Sequence, residues 1–333
     1  MKNRKLLILI SSICLVLVFA LLPLIAACAG TPAETRITVV GAAATSTTYA
    51  WGTAFALLGE NHSDWLKMDL VPCKGSVESL RFLIEGKGSV AQSYEWISND
   101  ARAGIDAFAD LGPKDNYRTI FNSQVPGGVA VVLDSNPIEA ITYESLKGKT
   151  VATRQVGSAG IILCTEALKA LGLDPKTDVK LLTMGQGDCN SAILDGTADI
   201  FIGVLGFNHK TMIELSTTKP VRFLPIPKGV MDKLGEEISA VPGEIPAGMY
   251  KGQDEAVATP RMVQYWYAGE DVDDDIVYEL VRLWWTYPDE RNEVHPTIRD
   301  FATVDWVKTA IPAAKTAIHP GALKYYKEQG WLN

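Results

Sequence analysis

The chain has 333 residues, of which 47% are hydrophobic and 21% charged, enough apolar matter for one large core or two ordinary ones, and this excludes a disordered chain. Lys and Arg total 31 against 39 Asp and Glu. The formal charge of −8 leaves no basic surplus to neutralise a phosphate backbone, so nucleic acid is not an expected partner.

The first segment reads as an address. Lys2, Arg4 and Lys5 form a positive start, and no residue from Leu6 to Ala27 is charged. Roughly 20 apolar residues suffice to cross a bilayer, but Pro23 and the sequence after it argue for export. Ile25-Ala26-Ala27-Cys28 resembles the lipobox of bacterial lipoproteins, in which small residues admit the peptidase and the cysteine carries a diacylglycerol. Residues 1–27 are thus expected to be a lipoprotein signal peptide, with Cys28 lipidated and tethering the chain without spanning. The address holds three basic residues and no acidic one, so a chain starting at Cys28 carries 28 against 39, or −11. Cys73, Cys164 and Cys189 then remain, which is no disulfide framework. A Cys164–Cys189 pair is open, with small buried thiols the preferred reading. No cysteine or histidine spacing suggests a metal, and no cofactor is expected.

Residues 28–35 read as a tether, and the β-branched run 36–40 as the first strand. A helix is expected over 49–58, a strand over 68–71 ended by Pro72, and a helix with Val77, Leu80, Leu83 and Ile84 on one face and Ser76 as its cap. Residues 90–93 form the next strand. Strands alternating with helices predict a mostly parallel α/β sheet with ligand sites at the carboxyl ends of its strands. After an apolar strand at 129–133 and the turn Asp134-Ser135-Asn136-Pro137, the alternation restarts with strands at 150–153, 179–182 and 199–202. Two α/β lobes are therefore expected, and the final third is helical where regular. Asp271, Asp273 and Asp275 alternate as in a calcium loop, but Ile276 and Arg282 replace the glycine and glutamate such a loop needs, leaving a helix start.

Catalytic templates fail. Val156-Gly157-Ser158-Ala159-Gly160 lacks the first glycine of a nucleophile elbow, and Gly185-Gln186-Gly187-Asp188-Cys189-Asn190 ends without the last glycine of a dinucleotide fingerprint. Of the four histidines, His209 alone follows a strand end that would face a cleft. The chain is not expected to be an enzyme; a hydrolase using Ser158 or His209 is the weaker competing class, beside a lipid-tethered sensor for a signalling protein. Polar loops at strand ends remain. Thr45, Ser46, Thr47 and Tyr49 open a helix whose free N–H groups suit a carboxylate or phosphate, though the hydroxyls serve equally as caps. Lys74-Gly75-Ser76, Gln92-Ser93 and the stretch Arg154, Gly157, Ser158, Ala159 complete the ligand-binding candidates, with Arg154 as a planar counter-charge or a surface ion pair. Trp51, Tyr94 and Trp96 are open between walling the site and filling the core.

The order of motifs resembles the TAXI-type solute-binding proteins of tripartite ATP-independent periplasmic (TRAP) transporters. The resemblance is carried by residues 75–81 (GSVESLR), Ala91-Gln92-Ser93, residues 245–255 (IPAGMYKGQDE) and residues 319–326 (HPGALKYY). It implies a type II periplasmic-binding-protein fold with a hinge and an interlobe cleft, lobe I combining 35–133 with 223–333 and lobe II covering 134–222. It also implies a monomeric, extracytoplasmic receptor, in the periplasm or on the outer face of the cytoplasmic membrane, that passes an amino acid or other carboxylate to a TRAP permease. The family's first loop is usually glycine-rich; here Ala42, Ala43, Ala44, Ser46 and Thr47 occupy it, and Arg154 and Gln155 replace small residues in the later loop. The expected ligand is accordingly an anion that need not be glutamate.

Overall fold

The computed structural model describes residues 34–44, 46–123 and 126–333. The expected signal peptide, Cys28 and Thr45 lie outside the described residues.

Twelve described strands form two sheets: β1 (Thr35–Val40), β2 (Leu66–Val71), β3 (Val90–Tyr94), β4 (Tyr117–Asn122), β5 (Gly127–Leu133), β6 (Thr150–Arg154), β7 (Lys180–Met184), β8 (Ile200–Leu205), β9 (Val221–Phe223), β10 (Val241–Ile245), β11 (Val257–Arg261) and β12 (Gln264–Gly269). The first sheet runs β2-β1-β3-β12-β4 and the second β10-β11-β5-β8-β6-β7, with β9 on β5. Both share one plan. Three parallel strands stand in the order second, first, third, as β2-β1-β3 and β7-β6-β8. Beside the third lies an antiparallel strand that arrives from the other sheet: β12 on β3, and β5 on β8. The chain thus crosses between the sheets between Asn122 and Gly127 and again between Arg261 and Gln264.

Helices cover both sheets: α1 (Thr47–His62), α2 (Ser76–Ile84), α3 (Glu95–Ala103), α4 (Tyr143–Leu146), α5 (Ala159–Ala170), α6 (Gln186–Leu194), α7 (Lys210–Thr218), α8 (Lys228–Ile238), α9 (Asp274–Thr286), α10 (Pro288–Val294), α11 (Pro296–Phe301), α12 (Val304–Ala313) and α13 (Pro320–Glu328). Because helices pack on both faces, the inner strands β3 and β8 are buried along their whole length, and β8 reads as an apolar run without alternation. Ser46 starts α1 by accepting the Tyr49 N–H on its Oγ at 3.1 Å, a cap worth about 1 kcal/mol. Asp273 immediately precedes α9 without a side-chain cap bond, and Asp274 and Asp275 occupy its first turn, so the acidic run is a helix start. That helix turns Val277, Leu280, Val281 and Trp284 into the core. There Trp284 meets Trp51 and Phe55 of α1, with ring centroids 5.2 and 4.6 Å apart, and Phe55 meets Trp266 of β12 edge-on at 5.0 Å.

Several open readings are decided and several expectations corrected. Of the two roles open to Trp51 it takes the core: it is fully buried and its Nε1 donates to Thr297 Oγ1 at 3.2 Å. Gly75, not Ser76, is the residue that precedes α2, and it provides no side-chain cap. The final third is not helical throughout, since β10, β11 and β12 lie in it. Pro242 and Gly243 hide the signal of β10, and β12, buried on both faces, has no alternation to read. The sheets also end elsewhere than the expected lobe limits: β5 pairs with β8, and β9, β10 and β11 belong to that same second sheet. Cys73, Cys164 and Cys189 are free thiols, the last two buried.

Gly321 lets α13 close on α9: a Cβ there would lie 2.1 Å from the Asp274 carbonyl oxygen, which is backbone and cannot swing away. Gly321→Ala is expected to cost about 1–3 kcal/mol of stability, read as a lower urea midpoint with an unchanged slope.

Candidate ligand-binding site

The loops that follow β1, β2, β6 and β8 meet in one cleft between the sheets, where the carboxyl ends of parallel strands place ligand sites. Ser46, Thr47 and Thr48 line it from α1, Lys74, Gly75 and Ser76 from the approach to α2, and Ser158, Ala159 and Gly160 from the start of α5. Tyr94, Arg154, the 204–206 strand end, His209 and Gln264 complete the wall. Its cavity of about 60 Å³ is well above the roughly 10–15 Å³ that admits a single water molecule.

Four helices begin at this cleft: α1, α2, α5 and α7, the last capped by His209. Each N-terminus carries a partial positive charge of about half an electron. Neither α2 nor α5 has a side-chain cap, so their first-turn donors are not taken by a neighbouring hydroxyl.

Arg154 is the strongest charge in the site. It stands at the end of β6 with 9% of its surface exposed. Its Nη1 donates to Gln186 Oε1 at 3.1 Å, its Nε is buried without a partner, and among the described residues no carboxylate pairs with it. Burial pushes its pKa down. The alternative of a surface ion pair is excluded by this burial. His209 is 4% exposed, and its Nδ1 lies 2.8 Å from Thr211 Oγ1 and accepts the Thr211 N–H at 3.3 Å. Burial, then the positive charges of Arg154 and His295, lower its pKa to about 4. The ring is neutral at pH 7, and with Nδ1 accepting, Nε2 carries the proton. Burial raises the Tyr94 phenol well above its ordinary value despite Arg154, so it too is uncharged.

The two sides of the cleft touch. The Val77 N–H donates to the Gly157 carbonyl at 3.2 Å, and Gln155 Nε2 donates to the Lys74 carbonyl at 2.9 Å. Gly75 makes this approach possible, because a Cβ there would stand 2.8 Å from both the Gly157 oxygen and the Ser158 Cα.

Of the residues expected from sequence, Ser46, Thr47, Ser76, Arg154, Ser158 and Ala159 line the cavity. Tyr49, Gln92, Ser93 and Gly157 do not, and each has a supporting place instead. The Tyr49 N–H is spent on the Ser46 cap. Ser93 Oγ donates to the Ser76 carbonyl at 3.0 Å, and Gln92 Oε1 accepts from Ser76 Oγ at 3.4 Å, so this pair holds Ser76 from behind. Gly157 supplies the carbonyl of the interlobe contact. Among the aromatic candidates, Tyr94 walls the site, whereas Trp96 faces a separate groove beside Asp100 and Glu166. Ser158 Oγ donates to the Gln155 carbonyl at 2.7 Å, so its proton is directed to backbone and not to a base. Thr48, the β8 end and Gln264 are liners that sequence reasoning did not assign, and His209, expected to face a cleft, lines it as well. The strand-end rule covers β8 and His209. Gln264 had no such signal, because its position follows from β12 pairing with β3.

The fold is shared with solved structures at low sequence identity. PhnD1 from Prochlorococcus marinus, in complex with methylphosphonate, superposes with a TM-score of 0.53 at 11% identity, covering 89% of this chain and 99% of that one. A Xanthomonas citri protein bound to ATP gives 0.51 at 8% identity, covering 90% and 100%. The periplasmic aliphatic sulphonate binding protein SsuA from Escherichia coli gives 0.46 at 15%, covering 89% and 84%. Two α/β lobes, two crossings and a cleft between them make this the type II periplasmic-binding-protein fold expected from the sequence. The model of the NMT1-like family matches residues 39–330, and with nearly the whole described chain inside that match, the protein belongs to the NMT1-like family.

Proposed function

We propose that the protein is an extracytoplasmic solute-binding receptor that closes its lobes on a small anion, a carboxylate or related oxyanion, with Arg154 as the counter-charge. The observation that carries this reading is a guanidinium buried in the interlobe cleft with no carboxylate partner among the described residues and its Nε unpaired. Four helix N-termini aimed at the same cavity add donors and positive potential. Expected net charge −11 repels an anion at long range, so the attraction is local. The lobes follow the sheets, 34–123 with 264–333 and 127–261. The reading includes lipidation at Cys28, which holds the receptor at the outer face of the cytoplasmic membrane or in the periplasm, and delivery to a TRAP-type permease, supported by the motif resemblance in 75–81, 245–255 and 319–326. Binding without turnover is supported by Ser158 and His209 being engaged by a backbone carbonyl and by Thr211.

Mass spectrometry of small molecules that copurify with the chain identifies the solute, and calorimetry measures its affinity. Arg154→Ala is expected to weaken binding by about 1.5–3 kcal/mol, roughly ten- to a hundredfold; unchanged affinity removes Arg154 from the site. Gly75→Val is expected to weaken binding as well, by holding the lobes apart at Gly157 while leaving each lobe folded.

His209 gives the site a pH signature. Below pH 6.5 the unfolded chain takes up a proton at this residue that the folded protein refuses until about pH 4. The stability it contributes is present above pH 6.5 and is lost as the pH falls toward 4. The melting temperature of the parent protein is therefore expected to fall more steeply over that interval than that of His209→Gln, and parallel curves would show that His209 is not held neutral.

A further inference from the structure

We infer that the bound solute is an anion without an ammonium group, held through acceptor atoms alone. This rests on the receptor reading and narrows its ligand class. Every acidic residue of the chain lies within the described residues, and none lines the cleft. The charged liners are Lys74 and Arg154. Glu78, close by, is turned to Lys74: it accepts the Lys74 N–H at 2.6 Å and stands 4.0 Å from its Nζ.

The side-chain amide oxygens of Gln186, Gln264 and Gln92, near the cavity, each already accept one hydrogen bond. Gln186 Oε1 accepts from Arg154, Gln264 Oε1 from Ser123 Oγ at 3.0 Å, and Gln92 Oε1 from Ser76. Among the side-chain N–H groups of the cavity lining, Arg154 Nε is buried without a partner, beside the helix starts. An α-amino acid brings an ammonium that needs a carboxylate or several free acceptors. Here it would be desolvated beside the like charge of Arg154, and a buried cation without compensation is strongly unfavourable. The cleft therefore selects against amino acids and for their deaminated counterparts.

The test uses matched pairs that differ in one amino group: succinate and aspartate, glutarate and glutamate, ethanesulfonate and taurine. Each is titrated into the full chain by calorimetry and thermal shift, alongside Arg154→Ala and Arg154→Lys. In at least one pair the deaminated member is expected to raise the melting temperature and bind at least tenfold more tightly than its mate, with binding weakened at least tenfold in Arg154→Ala and less in Arg154→Lys. An aminated member that binds as tightly as its mate, or more so, overturns the inference; if that binding also depends on Arg154, the receptor reading survives. Deaminated binding that persists in Arg154→Ala preserves the selectivity and removes the counter-charge. Silence of all six probes overturns both.

Discussion

A guanidinium buried without a counter-charge is the constraint around which the cleft is arranged. Desolvation alone disfavours Arg154 in its charged form, and the four helix N-termini nearby add potential of the same sign. Without a solute this arrangement is unfavourable, and the tertiary packing of the two lobes has to sustain it. An anion entering the cavity relieves both costs together. Binding energy is thus available from a site that contributes little to the stability of the fold, a division of labour common where local electrostatics run against folding.

The repeated sheet plan explains how the loops come to face one another. In both sheets the parallel strands β2-β1-β3 and β7-β6-β8 are followed by a strand that comes from the other lobe. The two crossings, between Asn122 and Gly127 and between Arg261 and Gln264, hold the lobes as neighbours, and the loops after β2 and β6 meet at Gly75 and Gly157. The backbone hydrogen bond from Val77 to Gly157 and the side-chain bond from Gln155 to Lys74 form across that meeting.

The chain's net charge of −8 repels an anion at distance, and the Debye length of about 8 Å at physiological salt confines that repulsion to the neighbourhood of the surface. Inside the cleft the lining holds no carboxylate, so the local potential has the opposite sign to the net charge. The hydrogen-bonding direction of His209, set by Thr211 at its Nδ1, and the neutrality of Tyr94 leave Arg154 and Lys74 as the charges a solute meets.

The sequence by itself determined the α/β alternation and the strand ends that carry Ser46, Ser76, Arg154 and Ser158, because hydrophobic period, caps and turn residues act over a few positions. It did not reveal β10 or β12, since Pro242 and Gly243 mask the one and burial on both faces removes the alternation of the other. Nor did it separate Gln92 and Ser93, which support Ser76, from residues that face the solute. Trp51 and Tyr94 were equivalent as aromatic residues near strand ends; packing against Trp284 put one in the core, and the cleft exposed the other. Only the tertiary structure decided that Arg154 is buried without a carboxylate and that Gln264 lies across from it in the same wall, because both depend on strands distant in sequence pairing into two sheets that face each other.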